Sequence, residues 1–436
     1  MDSIRNVLLI AYHFPPLGGS GVQRSVKFAK YLSRYGWKAT VLTIEPAGYY
    51  AFDESLVREV EEAGVHIIRT KSFDIYRLSR GRKTVPVRSE FWRTVVQWLG
   101  DFFFLPDTKI GWKRNALRKG LELLRAEKFD LIFATAPPST DFLIGAELKR
   151  KTGIPLVVDY RDAWLEDPFK YFPTPLHRWL HARLEKQIQK AADRVLVANR
   201  RVKEILLKRF PQLTYHDVII IPHGFDPEDI PASTPRRTDA KKMRIVHAGM
   251  FRGGRTPAPL LTAFANLVQQ DAQWVGRIEF EFVGAARKDE KNLVRSLGLE
   301  SSVAWRGYLE HRECLRALAG ADVLWYARES DILAPGILYE YFGMRKPILA
   351  SVVAGYTQQL LDESRGAYVV PLGDIHTHEI ALQELYGQFE KRKLQRVTEE
   401  FGEQFWHTTL TGELAKQFES LMEYDRGTFV KLAETA

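Results

Sequence analysis

Three loops in this chain bring glycines, arginines and a glutamate to the start of a helical pattern, where an anion or a pair of vicinal hydroxyls can be gripped. The first runs Phe14-Pro15-Pro16-Leu17-Gly18-Gly19-Ser20-Gly21-Val22-Gln23-Arg24. Gly18 and Gly19 let backbone approach a ligand closely, and the helix that follows offers unpaired N–H groups to a phosphate. The spacing is not G-x-G-x-x-G and no Walker lysine follows, so a tight turn without a ligand remains the alternative. The second loop, His247-Ala248-Gly249-Met250-Phe251-Arg252-Gly253-Gly254-Arg255-Thr256-Pro257, sets guanidinium groups before a helix capped by Thr256 and begun by Pro257. A planar guanidinium fork beside the positive end of a helix suits a diphosphate, and Arg255 is the stronger candidate of the two arginines. The third, Ala334-Pro335-Gly336-Ile337-Leu338-Tyr339-Glu340-Tyr341-Phe342-Gly343, places Gly336 and Ile337 at a helix start and Glu340 one turn in. Their N–H groups can meet phosphate oxygens, and a carboxylate so placed can accept from both hydroxyls of a ribose; a solvated helix-face glutamate is the plainer reading.

The remaining reactive residues point elsewhere. Cys314 is the only cysteine, no His or acid stands out as a catalytic partner for it, and an internal disulfide is ruled out. A lone thiol fits a reducing compartment. His13, His223 and His247 lie near loops without metal-ligand spacing, and no Asp-x-Asp occurs, so no metal is expected. The net charge of +9 favours anionic partners of any kind. No recognition motif accompanies it, so nucleic acid is not expected. The stretch Phe91 to Pro106 is aromatic and apolar and is flanked by Arg77, Arg80, Arg82, Lys83, Arg88, Lys109, Lys113, Arg114, Arg118 and Lys119. Such a combination suits an anionic membrane surface; a core helix beside a solvated basic face is the alternative. With neither a signal peptide nor a run of ~20 apolar residues, the expected location is cytoplasmic, at most peripheral to a membrane.

These loops need strands beneath them, and apolar runs alternate with helical patterns throughout, as in βαβ units around parallel sheets. Expected strands are Val7–Tyr12, Ala39–Ile44, Val65–Arg69, Leu131–Ala134, Leu156–Tyr160, Val195–Ala198 and Val218–Ile221, then Arg244–Ala248, Glu279–Val283, Val303–Trp305, Asp322–Tyr326, Pro347–Ala350 and Ala367–Val370. Val22, Val26, Ala29 and Leu32 mark one face of the first helix, and Phe405, Leu410, Leu414, Phe418 and Leu421 one face of the last. The proline- and charge-rich stretch between the two series reads as a linker. The resulting α/β organisation is a Rossmann-like domain over 1–225, a linker over 226–242, a second Rossmann-like domain over 243–400, and C-terminal helices over 401–436 that return to the first domain. Ligands bind beyond the carboxyl ends of such strands, so a cleft between the domains is expected.

In its order of motifs the chain resembles the GT-B glycosyltransferases, and among them glycosyltransferase family 4. The matching pieces are Phe14–Gly21, Phe129–Ile132, Gly153–Trp164 with Asp159-Tyr160-Arg161-Asp162, Ile221–Asp226, Gly249–Arg255, and Tyr339-Glu340-Tyr341 with Pro347. The resemblance implies a transferase moving a sugar from a nucleotide-diphosphate donor to a saccharide or lipid-linked acceptor, with retention and without a metal, in polysaccharide or glycolipid assembly. It places Gly249 and Arg255 on the donor pyrophosphate, Gly336 and Ile337 beside it, Glu340 on ribose, Gly18 and Gly19 facing phosphate and acceptor, and Arg161 with Asp162 near the reacting centre. Departures are Ile332 where the family's first glutamate stands (Glu329 or Asp331 being the nearby acids), Met250 in place of an arginine, Ile337 in place of a lysine and Arg161 in place of a histidine. Two rivals share the fold: a nucleotide-sugar epimerase or hydrolase, and a catalytically silent protein that binds nucleotide or partners.

Overall fold

The computed structural model describes residues 4–46, 52–73, 98–231, 242–251, 255–333 and 336–434. Arg252, the Ala334-Pro335 pair, the middle of the expected linker and the basic-aromatic residues from Arg77 to Gln97 lie outside the described residues.

The chain forms two compact units, one of residues 1–223, 332–334 and 407–436, the other of 224–331 and 335–406. The first carries strands β1 (Arg5–Ile10), β2 (Trp37–Ile44), β3 (His66–Thr70), β4 (Leu131–Ala136), β5 (Leu156–Tyr160), β6 (Arg194–Val197) and β7 (Val218–Ile220). Its helices are α1 (Ser20–Tyr31), α2 (Glu54–Glu62), α3 (98–103), α4 (Lys113–Ala126), α5 (Thr140–Thr152), α6 (Pro175–Ala191) and α7 (Arg200–Arg209). The second unit carries β8 (Met243–Ala248), β9 (Ile278–Val283), β10 (Val303–Gly307), β11 (Val323–Arg328), β12 (Ile348–Val352) and β13 (Ala367–Pro371). Around them lie α8 (Ala258–Gln270), α9 (Lys288–Ser296), α10 (His311–Ala319), α11 (Gly336–Met344), α12 (Tyr356–Glu363), α13 (Ile375–Glu390) and α14 (Glu399–Glu403). The chain closes on α15 (His407–Glu434).

Both sheets are parallel, ordered β3-β2-β1-β4-β5-β6-β7 and β10-β9-β8-β11-β12-β13. In each, the strand order reverses at one place, between β1 and β4 and between β8 and β11. A crevice opens at such a point beyond the carboxyl ends of the two strands, because the connections leave it on opposite faces of the sheet. Central strands buried on both faces need apolar residues throughout, and all thirteen expected strands, edge strands included, are present within a few positions.

Two of the expected boundaries move. The second unit begins at Gly224, so the start of the expected linker is folded: Phe225 donates its backbone N–H to Phe405 O (3.0 Å) and lays its ring on α11. A Cβ at Gly343 would come within 2.5 Å of that ring, which explains glycine there. Phe401 and Phe405 pack in the second unit's core, so the return to the first unit comes at residue 407 and not at 401. From there α15 packs on the first sheet's helical layer, with Leu410, Leu414 and Phe418 buried and Phe418 meeting Trp37 at 5.1 Å and Phe133 at 5.4 Å. Among the described residues no helix is long and apolar enough to cross a membrane.

Candidate functional site

The second unit's crevice is built at the ends of β8 and β11. Tyr341 of α11, fully buried, accepts a hydrogen bond from Ala248 N (2.9 Å) and donates to Trp325 O (3.3 Å). That hydroxyl ties the helix carrying Glu340 to the end of the strand that leads into the arginine loop. After β8 the chain turns at Gly249, where φ is 135°, a conformation side chains resist. Gly284 faces it so closely that a Cβ would lie 2.5 Å from Gly249 O.

Arg255 ends this loop, mostly buried, with its Nε 3.2 Å from Glu329 Oε2. Glu329 therefore neutralises the arginine that the sequence assigns to phosphate. Asp331, the other acid considered in place of the missing first glutamate, is committed elsewhere. Its two oxygens accept from Tyr356 N (2.9 Å) and Thr357 N (2.8 Å), capping α12. Ile332 packs against the first unit's core, and its carbonyl accepts from Asn199 Nδ2 (2.9 Å). The helix after Arg255 starts at Ala258, one residue later than expected, with Thr256 Oγ1 accepting from Ala258 N (3.2 Å).

Glu340 sits in the second turn of α11, whose first residues are Gly336 and Ile337. His311, the first residue of α10, meets Glu340 Oε1 at 2.9 Å. The other oxygen, Oε2, accepts no hydrogen bond among the described residues, leaving an acceptor for a ligand hydroxyl. His311 escaped the sequence reading; its place at the start of a helix just after a strand was the available signal. Cys314, on the same helix, has its thiol pushed up by burial and by the Glu340 charge, which removes it as a nucleophile.

His247 lies on the opposite face of this sheet, its ring stacked on Phe251 (4.7 Å, 10°) and its Nδ1 2.9 Å from Trp325 O. A carbonyl can only accept, so Nδ1 carries the proton. Burial lowers its pKa to about 4; the bond to Trp325 opposes this and the Arg255 charge adds to it. The ring is a neutral structural group.

In the first unit, the loop holding Gly18 and Gly19 is anchored from three sides. Arg69 Nη2 donates to Pro15 O (2.6 Å), Asp53 N to Pro16 O (3.0 Å), and Arg161 Nη1 to Gly21 O. Gly19 caps α1 with φ 101°. Arg161 also donates from Nε to Ala136 O (3.2 Å) and from Nη2 to Pro137 O. Its guanidinium thus ties Gly21, at the start of α1, to Ala136 and Pro137 at the end of β4. Asp162 beside it is half-buried. Asp159 from the same segment forms a buried pair with Arg24, at 3.0 Å from Nε to Oδ2 and 2.8 Å from Nη2 to Oδ1.

The sequence reading missed Asp141. This fully buried carboxyl accepts from Tyr12 N (2.8 Å) at the first unit's β1/β4 crevice, and its Oδ1 has no partner among the described residues. Burial raises its pKa well above the carboxylate range; the Tyr12 hydrogen bond opposes this, Asp107 adds to it and Arg161 opposes it. His13 nearby is held neutral by burial, Lys109 and Arg161, and His223 by burial, Arg24, Arg161 and His407.

The fold is shared with solved structures. A glycosyltransferase from Rickettsia africae ESF-5 superposes with a TM-score of 0.67 over 97% of this chain and 99% of its own, at 11% identity. Anabaena Alr3699/HepE in complex with UDP and glucose gives 0.64 over 95% and 100%, at 17% identity. Sucrose-phosphate synthase from Thermosynechococcus elongatus gives 0.62 over 96% and 100%, at 15% identity. No curated protein matches the chain in sequence. The fold is the GT-B architecture of two Rossmann-like units. Within it, residues 19–224 match the family model of a glycosyl transferase 4-like domain.

Proposed function

We propose that the protein transfers a sugar from a nucleoside-diphosphate sugar to a saccharide or lipid-linked acceptor, with retention of configuration and without a metal ion, in polysaccharide or glycolipid assembly. The observation that carries this reading is the second unit's crevice. Supporting it, Arg255 in the loop after β8 pairs with Glu329 just past the end of β11, and α11, which carries Glu340, is tied through Tyr341 to Ala248 of β8 and Trp325 of β11, the two strands at the reversal point. Phosphate on the arginine and helix end, and ribose on the carboxylate, match the two ends of a nucleoside diphosphate.

In the proposed reaction the acceptor hydroxyl attacks the anomeric carbon as the bond to the β-phosphate oxygen breaks. The proton passes to the departing phosphate. Fixed donors aimed at that phosphate stabilise the charge it gains, the largest effect available to such a site. Gly18 and Gly19 are assigned to phosphate and acceptor, Asp162 to the reacting centre, and Gly249, Gly336 and Ile337 to the donor.

Contact with an anionic membrane is part of this reading. Trp98, Phe102, Phe103 and Trp179 are 40–70% exposed, and Arg183 lies over Trp179. The exposure of these aromatics supports the contact, and co-sedimentation with anionic vesicles tests it.

A thermal-shift screen of UDP-, GDP- and ADP-sugars tests the donor, since a ligand bound only by the folded protein raises its melting temperature. Alr3699/HepE was crystallised with UDP-glucose, which makes the UDP series the first probe. Nucleotide release only with an acceptor present, and an NMR spectrum showing the donor's anomeric configuration kept, are the expected results. Rapid release without acceptor supports the hydrolase or epimerase instead; binding without any release supports the silent protein.

A further inference from the structure

One buried cation of the second unit has no ion-pair partner among the described residues. Arg328 closes β11 at the reversal point, 7% exposed, and its Nε is sealed from solvent with no hydrogen bond. Among the described residues its guanidinium makes no hydrogen bond or ion pair at all. The other deeply buried arginines are fully engaged: Arg24 on Asp159, Ile221 O and Pro222 O, and Arg161 on three carbonyls. Of the nearby acids, Glu329 is ion-paired with Arg255 and Asp331 holds the backbone of α12, and neither forms an ion pair with Arg328. A guanidinium left this way costs folding free energy, which an incoming anion recovers.

A second orphan stands beside it. Side chains alternate along a strand, and Leu324 and Tyr326 belong to the core under α11 while Val323, Trp325 and Ala327 belong to the other face. Arg328 therefore shares the α11 face with Tyr326. The Tyr326 hydroxyl is buried without a partner and lies within electrostatic reach of both Arg328 and Arg255. A hydroxyl and a guanidinium, both unpaired and both at the carboxyl end of the central strand, present donors to one place.

We propose that Arg328 and the Tyr326 hydroxyl form an oxyanion-binding pair in this crevice, taking a phosphate or carboxylate oxygen of the nucleotide-sugar donor. The pair supplies a positive charge that no sequence motif marked, in a site that lacks the expected Lys and Arg at Ile337 and Met250. It deepens the donor-site reading and rests on it for the ligand's identity.

The test compares wild type with Arg328→Met and Arg328→Lys by calorimetry, using inorganic pyrophosphate, UDP, UDP-glucose and UDP-glucuronate, together with ligand-free melting temperatures. If the oxyanion is phosphate, Arg328→Met weakens pyrophosphate and UDP by about tenfold or more and Arg328→Lys recovers part of the loss. If it is a sugar carboxylate, both variants keep UDP affinity and Arg328→Met loses a wild-type preference for UDP-glucuronate over UDP-glucose. In either case the ligand-free melting temperature of Arg328→Met is equal to or above wild type, because an uncompensated charge is gone. Unchanged affinity for all four ligands, or a lower ligand-free melting temperature without any change in ligand discrimination, overturns the inference. A wild type that binds pyrophosphate through Arg328 but no nucleotide refutes the donor reading and leaves the oxyanion pair standing.

Discussion

Replacing Tyr341 with Phe removes a single oxygen from the second unit and leaves its ring in place. That oxygen accepts the Ala248 N–H at 2.9 Å in a fully buried setting. Its other partner, Trp325 O, also receives His247 Nδ1 at 2.9 Å and stays satisfied in the variant. The net effect is one buried N–H without an acceptor, worth about 1–3 kcal/mol. Urea unfolding followed by tryptophan fluorescence reads this as a lower midpoint with an unchanged slope. UDP binding weakens as well, because the bond holds α11, and with it Glu340, against the end of β8. A loss below about 0.5 kcal/mol, the range of ordinary surface substitutions, would refute the claim that this hydroxyl couples helix to strand.

Three further outcomes follow from the same geometry. Asp159→Asn strips the buried Arg24 guanidinium of its counter-charge and costs about 3–5 kcal/mol, which denaturant unfolding of the full chain measures; a loss near zero contradicts the pairing. Asp331→Ala removes the cap of α12 and lowers stability by about 1–2 kcal/mol, read as a drop in melting temperature that Asp331→Asn partly avoids. His247 titrates at its ordinary 6.5 in the unfolded chain and at about 4 when folded. Its contribution is therefore complete above pH 6.5 and is lost as pH falls towards 4, by up to roughly 3 kcal/mol. In His247→Gln the stability curve is flatter across that window, and an unaltered slope contradicts the assignment.

Most of the fold was legible because parallel strands buried on both faces leave uninterrupted apolar runs. The ends of strands were less so. Strand β11 continues two residues past the apolar run that marks it, and it ends on Arg328, whose buried Nε has no hydrogen-bond partner. Arg255 and Glu340 drew notice through loop and helix-start chemistry, whereas the partners of Arg161 left no such sign. Its three acceptors come from loops after different strands, so nothing in its neighbours reveals that the guanidinium is spent on backbone. Phe405 falls in helical phase with Leu410 and Leu414, yet the two units divide the chain between 406 and 407. Periodicity carried on across a break that only tertiary packing defines. Asp141 and the Arg24–Asp159 pair left no local signal, because their partners come from distant segments.

Everything about the donor depends on Arg255 and Glu340 acting on one ligand, and calorimetric titration of UDP, with GDP and ADP alongside, measures that directly. Wild type is expected to bind at least one of these diphosphates. Arg255→Ala and Glu340→Ala are each expected to weaken it, with donor turnover in Arg255→Ala falling by about 2–4 kcal/mol in transition-state stabilisation. Binding and turnover in both variants equal to wild type would contradict the account.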